Sequence, residues 1–309
     1  MVMIAGERWS IGLILAVLSW VLIVWALTGA EIAWPGFAAG IALFGKIAAF
    51  GLLVRMRGHA PHLASMLVVI GLFPVFASVL SVATMLAFPL QRPLIDDQLF
   101  AIDALFGYNW DAAVTALAEY PRFSALLSKI YLSSFPQLLV LAIYLGLTRR
   151  VTRMYHLLLT GMIAAVMTLA FWLLWPSFGP SAYLSLPQEV IEATGLVVTP
   201  DYGAVLMHFG EHGVGRIESH LVLGSVAFPS YHMVMALMVV VFARGTWLFW
   251  PALAVNLLMI PATLTHGGHH LIDLPGGLIA FVLAAMLAAR LLQQERAPMV
   301  RADANHANA

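Results

Sequence analysis

The sequence predicts an all-α integral membrane protein with about eight transmembrane helices. Three observations lead there. First, 62% of its 309 residues are hydrophobic and only 10% are charged, where a soluble domain carries about 25% charged residues. Second, eight apolar runs approach the ~20 residues that a spanning helix needs. Third, the basic residues of the short loops fall after every second run, the pattern by which basic loops stay on the cytoplasmic side.

The runs are 11–29, 33–54, 63–89, 124–147, 157–178, 230–243, 247–264 and 271–292. The first is longer than the ~7–15 residues of a secretory signal core, and Glu7 beside Arg8 removes the usual positive flank. It reads as a retained helix, with a cleaved signal as the second reading. Pro74, Pro136 and Pro261 fall inside runs, where neighbouring helices can re-satisfy freed backbone groups. The sixth and seventh runs are short and meet at Arg244-Gly245. Lys46 lies in the middle of the second run, either as a paired cation or as part of a pocket. Arg55 and Arg57 follow the second run, Arg149, Arg150 and Arg153 the fourth, Arg244 the sixth, and Arg290 and Arg296 the eighth. This places both termini on the cytoplasmic side. Trp9, Trp34, Trp110, Trp175 and Trp247 lie near run ends and read as interfacial anchors.

Two long connections then fall on the outer side, expected to be the periplasmic face of a bacterial inner membrane. Residues 90–123 carry Asp96, Asp97, Asp103, Asp111 and Glu119 among apolar residues at helical spacing, such as Leu99, Ile102 and Phe106. Short amphipathic helices at the interface fit this pattern. Residues 179–229 are long for a structureless loop, which suggests a functional one. Residues 1–60 form an N-terminal two-helix extension, 61–295 the core, and 296–309 a disordered tail.

Net charge is zero, which gives no electrostatic case for a nucleic-acid partner; the bilayer and a membrane lipid are the expected partners. The chain has no cysteine, so disulfides, thiolate catalysis and cysteine–zinc sites are excluded. No feature sets the oligomeric state.

The chemistry concentrates at the outer start of the sixth run, FPSYH, and of the eighth, GHHLIDLPGG. His269 and Asp273 are four residues apart, which on a helix places them on one face. The aspartate would hold the proton on one ring nitrogen and leave the other as a nucleophile. His232 is a second imidazole suited to acid or base work. Ser230 and helix-start amides can meet an anion. Gly267 and Gly268 allow close backbone approach. Together these describe phosphoryl transfer through a phosphohistidine.

FPSYH and GHHLIDLPGG resemble the second and third signature motifs of the type-2 phosphatidic acid phosphatase superfamily. The variant is similar to the branch of inositol phosphorylceramide synthase and sphingomyelin synthase. RPLIDDQLFAIDALFGYNW and YLSSFPQ extend the likeness upstream, over roughly 92–277. The resemblance implies a six-helix transmembrane core, here preceded by two extra helices. It implies His269 as nucleophile, Asp273 as its orienting partner, His232 as the acid for the leaving alkoxide, and Ser230 beside the phosphate. It implies a lipid phosphate phosphohydrolase or a headgroup transferase to ceramide or diacylglycerol, and leaves open which. No cofactor or metal is expected, since no carboxylate cluster suits a hard cation.

The sequence departs from the superfamily at its cations. The first motif's lysine position is Met85, ahead of Arg92-Pro93, and the third motif's Ser-Arg positions are Ala262 and Thr263. The synthase-like branch also lacks that Ser-Arg pair. Arg216 is the first candidate to replace them, as a phosphate contact or simply a solvated loop charge; Arg92, Arg122 and Lys129 follow. His266 and His270 read as bonding water or headgroups. A reading of another class takes the histidines as zinc or haem ligands or the chain as a transporter.

Overall fold

A computed structural model describes residues 3–221 and 224–294. The expected tail, 296–309, lies outside the described residues. In chain order the helices are α1 (Ala5–Thr28), α2 (Trp34–Met56), α3 (Pro61–Met85), α4 (Asp96–Leu105), α5 (Trp110–Ala118), α6 (Pro121–Leu132) and α7 (Ser134–Leu147). There follow α8 (Val151–Leu174), α9 (Gln188–Thr194), α10 (Pro200–His212), α11 (Tyr231–Ala243), α12 (Phe249–His266) and α13 (Asp273–Gln294).

Six of these, α1, α2, α3, α8, α12 and α13, are individually long and apolar enough to cross a membrane. The run at 124–147 is a bent pair, α6 and α7, with a 52° angle between them. The break has a local cause. Pro136 has no N–H to return to the carbonyl of Leu132, and the hydroxyls of Ser133 and Ser134 bond the carbonyls of Ile130 (2.6 Å) and Tyr131 (3.0 Å). α11 has 13 residues, about 20 Å at 1.5 Å per residue, shorter than the ~30 Å hydrocarbon layer.

The helices converge on a main apolar core. Phe76 of α3, Leu145 of α7, Met154 and Met162 of α8, Val234 and Met238 of α11, and Ala284 of α13 are all buried in it. α1 packs against α3, α8 and α13, and α2 lies along α3. Lys46 stays on the exposed side of α2. A second cluster forms where α3 and α8 end, around Met85, Phe88, Trp172 and Phe178. There β1 (Glu31–Ile32) pairs in parallel with β2 (Arg216–Ile217), tying the α1–α2 connection to the loop before α11.

The direction of α8 separates two ends. It starts beside Arg149 and Arg150 and runs 24 residues, about 36 Å, to the Ser177–Phe178 segment. At the starting end, Arg153 and Arg150 donate to the carbonyls of Arg244 and Gly245. There too, Glu7, fully buried, accepts from Arg55 (2.7 Å) and from the hydroxyl of Tyr155 (2.7 Å). At the far end, Ser177 accepts the backbone N–H groups of Ala227 and Phe228, which positions the FPSYH segment.

Two expectations for the loop helices change. α4 forms, but its inward face carries Asp96, Leu99 and Asp103, while Leu105 and Phe106 are 84% and 71% exposed. The acids point into the protein because they have partners there. Trp110 is no interfacial anchor: it is 2% exposed, packed with Val114 and Leu196.

Candidate active site

Two helix starts build the site. α11 is preceded by Ser230, whose side chain caps the helix by accepting the N–H of Met233. α13 begins at Asp273. The backbone N–H of Ser230 donates to the carbonyl of Asp273 at 3.1 Å, joining the two starts. Gly277 makes the approach possible, because a Cβ there would collide with the carbonyl oxygen of Ser230.

The His269–Asp273 pair forms, but its basis differs from the helical face expected. His269 lies in the turn between α12 and α13, and only Asp273 belongs to the helix. The turn passes through Gly268 at φ +60°, a left-handed conformation that favours glycine. It curls His269 back so that Nδ1–H donates to Asp273 Oδ2 at 2.8 Å, with the side chains 5% and 0% exposed. The same oxygen accepts the N–H of His270 at 3.0 Å, while Asp273 Oδ1 is buried without a partner. With Nδ1 committed, Nε2 carries the lone pair. It faces the hydroxyl of Ser230 at 3.5 Å. The ring of His232 sits 6.3 Å from that of His269, centroid to centroid. Tyr131, on α6 just before the bend, stacks on His232 at 4.0 Å and fixes its ring plane.

Thus His232, His269, Asp273 and Ser230 come together. Gly268 is adjacent, but its open side faces the chain itself: a Cβ there would meet Ser181 Oγ at 2.9 Å. The candidate cations do not join them. Arg216 is 57% exposed on β2 and pairs with Glu31 and Glu218. Arg92, Arg122 and Lys129 are exposed, and none of the four cations bonds His232, His269, Asp273 or Ser230. Met85 and Thr263 are 2% and 1% exposed. Met85 is packed among the apolar residues of the second cluster.

His270 corrects the reading of a water-facing residue. It is fully buried, with Nδ1 2.7 Å from Asp103 Oδ2 and Nε2 3.4 Å from Asp96 Oδ1. His266 is also fully buried, 3.3 Å from the hydroxyl of Ser124 through Nε2, with Nδ1 unpartnered. Sequence reasoning missed Asp96 and Asp103 as parts of the site region, and Tyr131. The available signal was the i, i+7 spacing of the two aspartates on one face of a short helix. Among the described residues, no three His, Asp or Glu side chains gather into a set able to hold a metal ion.

A bundle of apolar spanning helices with a buried histidine–aspartate pair at one end defines a multi-pass membrane protein with a histidine-centred site. The chain belongs to the PAP2 superfamily, whose family model matches residues 97–287, more than half of its length. Members of that superfamily are phosphatases and phosphotransferases. Neither the curated proteins nor the solved structures compared with the chain give a match.

Proposed function

We propose that the chain is a metal-independent lipid phosphatase or phosphotransferase working through a phosphohistidine on His269. The observation that carries this reading is the 2.8 Å bond from His269 Nδ1 to Asp273. It leaves Nε2 unprotonated and turned toward Ser230 and His232.

In the first step Nε2 attacks the phosphorus of a lipid phosphate ester. The P–Nε2 bond forms and the P–O bond to the leaving alcohol breaks. His232, held protonated by the negative charge of the bound phosphate, gives its proton to the departing alkoxide. Asp273 stabilises the positive charge that builds on the His269 ring. In the second step neutral His232 takes a proton from water, or from a lipid hydroxyl such as that of ceramide or diacylglycerol. The resulting oxygen attacks the phosphohistidine and releases Nε2. Ser230 and the N–H groups at the start of α11 meet the phosphate oxygens.

Ala262 and Thr263 in place of the superfamily's Ser-Arg pair support the branch of inositol phosphorylceramide and sphingomyelin synthases. Residues 61–295 would form the catalytic core and 1–60 its N-terminal extension. The arginine-bearing turns lie at the end opposite the site, which supports cytoplasmic termini and a site on the outer face.

The test measures phosphate release from a panel of lipid phosphates and headgroup transfer to labelled ceramide and diacylglycerol. The protein is purified whole in detergent and compared with His232→Ala, His269→Ala and Asp273→Ala. Acid-labile ³²P on the wild type and none on His269→Ala is expected. Activity surviving in His269→Ala, or lost in EDTA, sinks the reading. Which acceptor works separates hydrolase from transferase.

A further inference from the structure

The residue next to the candidate nucleophile has its own closed environment. The ring of His270 lies between two carboxylates of α4, with Nδ1 2.7 Å from Asp103 and Nε2 3.4 Å from Asp96. Between two ionised carboxylates, which only accept, a ring that satisfies both carries hydrogen on both nitrogens, as an imidazolium. Each carboxylate is anchored elsewhere. Asp103 Oδ1 accepts the N–H of Leu271 at 2.8 Å. Asp96 accepts the N–H groups of Phe178 and Gly179 (2.7 Å for the latter) and the hydroxyl of Tyr183 at 3.2 Å. The edge of Phe100 closes another side at 4.7 Å. The backbone N–H of His270 donates to Asp273 Oδ2.

These bonds bracket His269. The peptide before it is set by Gly268, and the two residues after it are tied to α4 and α13 at once. The geometry points to His270 as a positioning residue: a charged clamp, Asp96–His270–Asp103, that holds the turn bearing His269 in register with Asp273 and His232. His270 itself touches no reacting atom. The inference rests on His269 being the nucleophile.

The clamp depends on charge. The titratable groups facing it are Asp96 and Asp103 from α4, Asp273 from α13, the neighbouring His269, and the hydroxyls of Tyr183 and Tyr108 near the carboxylates. Burial alone would lower the His270 pKa, but the bonds to Asp103 and Asp96 outweigh it and raise it from 6.5 to about 9. A group raised on folding contributes stability that is complete below its unfolded pKa and is lost as pH rises through its folded one. The clamp is therefore intact at pH 6.5 and fails as pH passes about 9. A neutral imidazole then donates to one carboxylate and leaves the other buried without its counter-charge.

The experiment uses the whole protein in detergent and reads two quantities between pH 6 and 10. One is the melting temperature, which needs no substrate. The other is kcat and KM for phosphatidic acid, or for whichever lipid phosphate the panel above identifies. Both wild-type profiles should fall on the alkaline side. His270→Gln, which cannot donate two ring N–H bonds, should lower kcat on the order of 100-fold, as misplacement of a reacting group does, with KM unchanged. Should that variant not fold, Asp103→Asn keeps the shape and removes one charge, and it should move the alkaline limb of both profiles to lower pH. Wild-type kcat and pH dependence in His270→Gln overturn the inference, as does an unmoved alkaline limb in Asp103→Asn. Failure of the phosphohistidine reading shows differently, as full activity in His269→Ala, and leaves the melting profiles to decide the clamp.

Discussion

The N–H of Ser230 donates to the carbonyl of Asp273 at 3.1 Å. This single backbone bond joins the cap of α11 to the first residue of α13, and with them the two motifs that carry His232 and His269. Residues distant in sequence thereby hold a fixed separation without relying on flexible side chains.

Asp273→Asn should be less damaging than the same change in a hydrolase whose asparagine stabilises the wrong tautomer. Asp273 Oδ2 accepts both His269 Nδ1–H and the His270 N–H, while Oδ1 has no partner. An amide would keep its oxygen at the first position and turn its NH₂ to the second, preserving the tautomer and losing only the charge. We expect kcat to fall about 10²-fold, against ~10⁴-fold where the tautomer is wrong. Asp273→Ala should fall further. Steady-state rates of the two variants decide this, and equal losses would contradict it.

Gly277→Ala should loosen the joint between the two helix starts. Its new methyl would press on the Ser230 carbonyl oxygen, which is backbone and cannot swing away. Overpacking of this kind costs about 1–3 kcal/mol. A lower melting temperature together with reduced kcat is expected, whereas Gly45→Ala, with nothing near its Cβ position, should show neither effect.

Arg55→Met should destabilise without touching the site. Glu7 is fully buried, and its carboxylate is held by Arg55 and Tyr155. Removing the cation strands a buried charge, at a cost of about 3–5 kcal/mol. Glu7→Gln in the same chain should recover much of that loss. The folded fraction of Arg55→Met should keep wild-type kcat, because the network lies at the end opposite His269. Melting curves of the single and double variants measure the coupling.

Arg216→Ala tests the cation directly. The side chain is exposed and already paired with Glu31 and Glu218. Exposed pairs contribute about 0–1 kcal/mol, so kcat/KM should change less than about fivefold. A loss on the order of 100-fold would return Arg216 to the phosphate.

The class of the protein was legible in composition, because a chain this apolar has few ways to satisfy its backbone other than by membrane helices. His232, His269, Asp273 and Ser230 were legible as candidates, since polar residues at the edges of apolar runs are costly unless they serve a purpose, and the fold gathers them at one end. Three things were not. The 124–147 run read as one helix, because hydropathy is blind to the Ser133–Pro136 break. Residues 90–123 read as interfacial amphipathic helices, and the inward turn of Asp96 and Asp103 was hidden because periodicity gives the faces of a helix but not which face turns inward. His270 read as water-facing because its partners, Asp96 and Asp103, lie far away in sequence.

The sequence by itself determined the membrane class, the helix-forming runs and the residues able to carry the chemistry, all of which follow from local composition and short-range spacing. Tertiary structure alone decided that His269 meets Asp273 through a turn, that Tyr131 stacks on His232, and that α4 turns Asp96 and Asp103 inward around His270. Those relationships depend on long-range contacts, where a buried charge finds a counter-charge from a distant part of the chain.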